Sequence, residues 1–206
     1  MKKKNFTLVE LLCATALVVI LAGIGFSAYS YASYRGREAA TKSLITRLEA
    51  GLETLKTKHG VYPPSNGQYQ IIKFIYSVSG SNATGLITGV NFNGGNTNQL
   101  TAAQLKDFLA VIDGESLKNF LVLVSNDEHD LTDAWGGGIY YRYPGKVNTV
   151  KFDIIAPGAD GLFGSGISNN ATAAPKDVTG ENAKVTRSYY VDSNGEWACD
   201  DIANFK

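Results

Sequence analysis

Residues 2–34 read KKKNFTLVELLCATALVVILAGIGFSAYSYASY, and this stretch decides how the rest of the chain must be laid out. From Leu11 to Tyr34 no residue is charged and most are apolar. As a helix rising about 1.5 Å per residue, the run crosses a hydrocarbon core of about 30 Å. Lys2, Lys3 and Lys4 precede it, which predicts a cytoplasmic N-terminus and an extracytoplasmic remainder. The apolar run is too long for the core of a cleaved secretory signal, which spans about 7–15 residues. Glu10 stands at its very start, where a carboxylate is costly in lipid and calls for a specific partner.

Beyond Arg35 the helical pattern continues but changes character. Leu44, Ile45, Leu48, Leu52 and Leu55 make one apolar stripe, while Arg37, Lys42, Arg47, Glu49, Glu53 and Lys56 fall on other faces. Gly60 supplies a C-terminal cap and Pro63-Pro64 forbid continuation. One helix from about Thr7 to Lys58 would be roughly 75–80 Å long. Gly23 and Gly25 lie in its apolar half, and no proline occurs between Leu11 and Tyr62.

Lys4-Asn5-Phe6-Thr7-Leu8-Val9-Glu10-Leu11-Leu12 resembles the processing site of type IV pilin-like precursors. The resemblance implies removal of a basic leader (residues 1–5) between Asn5 and Phe6 by a prepilin peptidase, followed by methylation of the new terminus. Asn5 stands where that family has Gly. Glu10 becomes the fifth residue of the processed chain, and in the family that carboxylate neutralises the terminal amine of a neighbouring subunit during assembly. Two buried opposite charges offset each other's desolvation, so the arrangement is physically coherent. The fold this implies is α+β, a pilin-like lollipop. Its long N-terminal helix has a transmembrane and assembly half at 6–34 and an amphipathic half packed on a small antiparallel sheet, within a periplasmic domain at 35–206.

Within that domain, Tyr69 to Val78 suits a helix or a strand, with a short helix favoured by the spacing of Ile71, Ile72, Ile75 and Val78, and Ser79 to Gln99 reads as a loop. Thr101-Ala-Ala-Gln104 matches a capping box that opens a helix with the stripe Leu105, Phe108, Leu109 and Ile112. Asn126 to Asp130 reads as a solvated loop. Ile139–Tyr143 and Val150–Ala156 look like strands joined through Pro144-Gly145, and residues 188–197 like a hairpin turning at Ser193-Asn194-Gly195.

Tyr62-Pro63, Asp133-Ala-Trp-Gly136, Tyr141-Arg-Tyr-Pro-Gly145, Phe152-Asp153, Gly158-Ala-Asp-Gly161 and the terminal Asp200-Asp201-Ile202 occur in that order. They are similar to landmarks of the major pseudopilin of type II secretion systems. The similarity covers 5–63 and 133–165, with a variable region at about 66–130 and an insertion at about 167–198. In that family the Gly-Ala-Asp-Gly loop and the acidic C-terminal segment fold around one Ca2+. The resemblance therefore implies a metal set of Pro157 (through its carbonyl), Asp160, Asp200 and Asp201. Calcium takes about 6–8 oxygens from carboxylates and carbonyls, which a glycine-rich loop can supply. Taken alone, Asp160-Gly161 equally suits a turn.

The implied function is that of a structural subunit of a periplasmic pseudopilus. Its expected partners are copies of itself, other pseudopilins, an inner-membrane assembly platform, the peptidase and the membrane. A surface or DNA-uptake filament, or a single-pass anchored binding module, are the alternatives. Formal net charge is zero and three of the 19 basic residues are Lys2–Lys4, so no clustered basic face suggests nucleic acid. His59 and His129 are the only histidines, and no triad or carboxylate pair stands out as an active site, so the expectation is a non-enzymatic protein. Cys13 and Cys199 are too differently placed to suggest an intrachain disulfide.

Overall fold

A computed structural model describes residues 8–65, 67–77, 86–95, 99–125, 127–161, 163 and 199–205. The expected hairpin at 188–197 lies outside them. The chain divides into two compact units, Met1–Arg37 and Glu38–Lys206, three residues later than the boundary expected from charge.

Helix α1 (Leu8–His59) fulfils the expectation of one long helix. In the first unit its apolar side chains, among them Leu11, Leu12, Leu17, Ile20, Leu21 and Ile24, are all exposed. This segment is long and apolar enough to span a membrane. Three of its hydroxyls turn back onto the helix: Thr15 donates to the Leu12 carbonyl, Ser27 to Gly23 and Ser30 to Phe26. Helix α1 ends where Gly60 adopts φ +79°, a left-handed conformation open to glycine, with its N–H donating to the Lys56 carbonyl at 2.9 Å. Lys56, Lys58 and His59 occupy the last turn, where positive charge meets the negative end of the helix dipole.

In the second unit, Thr41, Leu44, Ile45, Leu48, Gly51, Leu52 and Leu55 form the buried face of α1. They share one core with Ile72, Phe74, Val90, Phe92, Phe108, Ile112, Tyr141, Phe152 and Ile154. Gly51 is required by its neighbour, since a Cβ there would sit 3.0 Å from the Phe108 ring. Helix α2 (Ala102–Ile112) carries the expected capping box, with Thr101 and Gln104 bonding reciprocally, and buries Leu105, Phe108 and Ile112. Lys58 and His59 of α1 both reach Asp107 of α2, at 2.9 and 3.0 Å.

Among the described residues the unit also has two four-stranded antiparallel sheets. One has the order β1 (Gln70–Ile71), β6 (Tyr140–Arg142), β7 (Asp153–Ala156), β8 (Ile202–Ala203). The other has the order β3 (Leu86–Asn91), β2 (Lys73–Ser77), β5 (Glu128–Leu131), β4 (Leu121–Ser125). Strands β6 and β7 lie inside the two stretches expected to be extended. The fold class is α+β, a long N-terminal helix packed on small antiparallel sheets.

Three local expectations are corrected. Residues 70–77 take the extended alternative and not the favoured helix: Ile72, Phe74 and Tyr76 are buried while Lys73 and Ile75 are not, a period of two that fits a strand. Ile72 is the hinge between sheets, its N–H donating to the Ile139 carbonyl and its carbonyl accepting from Leu131. Ser79–Gln99 is not wholly loop, because β3 pairs with β2 from Lys73↔Asn91 to Ser77↔Leu86. Residues 126–130 are not simply solvated loop, because Glu128–Leu131 form a central strand and Lys73 meets Glu128 at 3.2 Å. In each case the competing local pattern yields to strand partners distant in sequence.

Buried tyrosines give the core an alkaline limit. Tyr62 donates to Glu53 at 3.0 Å, and burial, reinforced by that carboxylate, pushes its phenol up to about 12. Tyr141 donates to the Pro63 carbonyl at 2.8 Å, and burial raises it further. Both phenols hold their protons more tightly folded than unfolded. Their contribution is therefore intact below about pH 10, and that of Tyr62 is lost as pH rises through about 12. The urea midpoint should fall across that window and fall less in Tyr62→Phe; equal slopes for the two proteins would contradict this.

Candidate functional site

The site expected at the C-terminal edge is built from three segments. Strand β7 runs out into Pro157, Gly158, Ala159, Asp160 and Gly161. Gly158 has φ +73° and Gly161 φ +70°, so glycine at both ends lets the chain reverse. Strand β8 returns along β7 in the register Ile155↔Ala203 and Ala156↔Ile202. This brings Asp200 against the loop: the Asp160 N–H donates to Asp200 Oδ2 at 2.9 Å. The approach is close enough that a Cβ on Gly158 would lie 2.5 Å from the Asp200 carbonyl oxygen.

Of the four residues implied for calcium, Pro157 and Asp201 are buried, Asp200 is half-buried and Asp160 is exposed. The structure joins the Asp160 loop to Asp200 across forty positions of sequence. Among the described residues no group of three or more His, Cys, Asp or Glu side chains is arranged to hold a metal ion. Packing and hydrogen bonds hold the terminal segment against β7. Ile202 and Phe205 are buried, and Asn204 accepts from the Ile154 N–H at 2.8 Å while donating to the Phe152 carbonyl at 3.1 Å. Neither Cys13 nor Cys199 is in a disulfide, and burial followed by the charge of Asp201 raises the Cys199 thiol.

Two carboxylates that the sequence displays only as landmarks turn out to organise this region. Asp133 is buried; its Oδ1 accepts from Trp135 and Gly137 at 2.9 and 2.8 Å, and its Oδ2 from Gly158 at 3.1 Å. Burial pushes its carboxyl up, and the backbone N–H donors oppose that shift. The Ala134 N–H donates to Thr41 of α1 at 3.1 Å. Asp133 therefore ties its own turn to the Gly158 loop, beside a contact to the helix. Asp153 is also buried and accepts from the N–H groups of Lys146, Val147 and Asn148 and from the Tyr69 hydroxyl. The available signal was an aspartate next to a glycine-containing turn, a usual acceptor for turn N–H groups.

Glu10 lies in the first turn of α1, exposed among Leu8, Val9, Leu11 and Leu12. A carboxylate there also complements the positive end of the helix dipole. The expected processing residues Asn5 and Phe6 lie outside the described residues. The chain matches no family model, no curated protein and no solved structure.

Proposed function

We propose that this chain is a membrane-anchored structural subunit of a pilin-like filament, with a periplasmic type II secretion pseudopilus as the specific assembly. One observation carries the proposal: a single helix carries only one charge, Glu10, over Leu8–Tyr34 and exposes its apolar side chains there, and the same helix then supplies the buried face Thr41–Leu55 of a folded unit. An exposed apolar helix needs lipid or other such helices around it. A carboxylate at its start needs a cationic partner once water is gone, and the terminal amine of a neighbouring processed subunit supplies one. On this account the leader is cleaved at Asn5–Phe6 in the inner membrane. The Leu11–Tyr34 helices then polymerise, and the folded units line the filament surface. Mass spectrometry of protein extracted from membranes should find a chain that begins at a methylated Phe6. Mature, filament-forming protein that retains Met1 would refute the processing step.

Calcium enters the same proposal through Pro157, Asp160, Asp200 and Asp201. Ligand linkage gives about 2.7 kcal/mol when free ion exceeds Kd a hundredfold. The melting temperature should therefore rise with added Ca2+, fall with chelator and respond much less to Mg2+, and Asp160→Ala should remove the response. A melting curve indifferent to both Ca2+ and chelator would leave Asp160 as a turn residue only.

A further inference from the structure

Tyr29, Tyr31 and Tyr34 crowd the end of the exposed apolar segment of α1, and Arg35 and Arg37 follow directly. All five side chains are exposed. The Arg35 guanidinium lies over the Tyr31 ring, 5.5 Å from its centroid, and its Nε donates to the Tyr31 hydroxyl at 3.3 Å. A tyrosine joins an apolar ring to a polar tip, so it is most stable where hydrocarbon gives way to water.

The placing of these residues around the helix indicates what surrounds them. At about 100° per residue, Arg37, Tyr34, Tyr31 and Arg35 fall about 80°, about 140°, about 200° and about 240° round from Tyr29. No sector wider than about 120° lacks one of them. The face that α1 buries in protein differs, since its residues from Thr41 to Leu55 all fit within about 120° of arc. A ring of amphipathic residues suits surroundings that are alike in every direction, as a lipid interface is and a single protein surface is not. The lengths agree. Tyr29 to Tyr34 rises about 7–8 Å, and the headgroup layer on one side of a bilayer is about 5–8 Å thick. From Tyr29 back to Glu10 the helix rises about 28 Å, close to the hydrocarbon thickness of about 30 Å.

We propose that Tyr29, Tyr31 and Tyr34, backed by Arg35 and Arg37, form a collar that binds the phospholipid headgroup layer on the extracytoplasmic side and sets the depth of the unassembled chain. The rings sit at the boundary of the hydrocarbon, and the guanidinium groups meet lipid phosphate. The collar rests on the membrane-anchored reading above and stands whether or not the chain polymerises. With the collar at one interface, Glu10 comes to the opposite boundary of the hydrocarbon, where water still reaches it. Its carboxylate stays hydrated until a neighbouring helix displaces that water, so its need for a cationic partner arises on assembly.

The test uses the full-length chain with Cys13→Ala, in the membranes of cells that lack an assembly platform, and that parent serves as the blank. Single cysteines are placed at Gly25, Ala32 and Gly36 and treated from the extracytoplasmic side with a maleimide that cannot cross the membrane. A Cβ at Gly25 or Gly36 meets nothing within 4 Å, so the helix accepts both changes. The expected result is full labelling of Gly36→Cys, none of Gly25→Cys and an intermediate level for Ala32→Cys. Changing all three tyrosines together to leucine extends the apolar run, so labelling of Ala32→Cys should fall several-fold. Changing them to tryptophan, which favours the same layer, should leave it as it was. Labelling of Ala32→Cys that ignores the leucine changes would overturn the collar and leave the membrane anchor standing. Equal labelling of Gly25→Cys and Gly36→Cys would overturn the anchor itself, and the collar with it. Protection of Ala32→Cys that grows with the amount of chain in the membrane would assign the ring to a neighbouring copy and overturn the lipid contact.

Discussion

Replacing Asp153 with alanine should unfold the globular unit rather than merely soften it. The carboxylate is fully buried and accepts four hydrogen bonds, from Lys146 N at 2.6 Å, Val147 N at 2.9 Å, Asn148 N at 2.8 Å and Tyr69 Oη at 2.7 Å. Alanine cannot accept any of them. Each buried donor left unsatisfied costs about 1–3 kcal/mol. Even with partial relaxation the loss should exceed about 4 kcal/mol, against a total of about 5–15 kcal/mol for an ordinary domain. The damage should spread, because Tyr69 belongs to the second core cluster with Tyr140, Ile155, Phe163 and Phe205. Asp153→Asn keeps the shape and one acceptor oxygen, so it should lose less. Denaturation followed by circular dichroism checks this, and a loss below about 1 kcal/mol for Asp153→Ala would contradict the role given to the buried carboxylate.

How far this arrangement could be read in the sequence depended on the range of the interactions involved. Helix α1 was legible because its determinants are local: a long apolar run, the Leu44–Leu55 stripe, Gly60 and two prolines. The Thr101–Gln104 box was legible for the same reason. Strands β2, β3 and β5 were not. Ile71, Ile72 and Ile75 fit a helical spacing as well as Ile72, Phe74 and Tyr76 fit an alternating one, and only the partners in β3 and β5 decide between them. Glu128, His129 and Asp130 look like surface residues. They form a strand because β2 and β4 flank them.

The candidate site divides along the same line. Gly158 and Gly161 were identifiable as a reversing loop, and Asp200 does meet that loop through the Asp160 N–H. Attachment of the terminus by Asn204 and Phe205 was hidden, since an asparagine's two hydrogen bonds to β7 and its approach leave no local pattern. The work done by Asp133 was hidden too. It accepts from a glycine twenty-five positions away, a distance no short motif encodes.

The other large expected effect concerns Glu10. Glu10→Leu removes the only charge between Leu8 and Tyr34, so membrane insertion should be kept or improved. The folded unit beginning at Glu38 should melt as before, because Glu10 lies outside it. Assembly should fail nonetheless. Removing one member of a buried ion pair costs about 3–5 kcal/mol, which corresponds to a loss on the order of a hundredfold to a thousandfold in each association step. The direct measurement is sedimentation and electron microscopy of filaments sheared from cells that carry a prepilin peptidase and assembly platform, comparing wild-type chain with Glu10→Leu at equal membrane levels. The account predicts filaments from the wild type and almost none from Glu10→Leu. Equal filament yields from the two chains, or a wild-type chain that stays dispersed in the membrane, would contradict it.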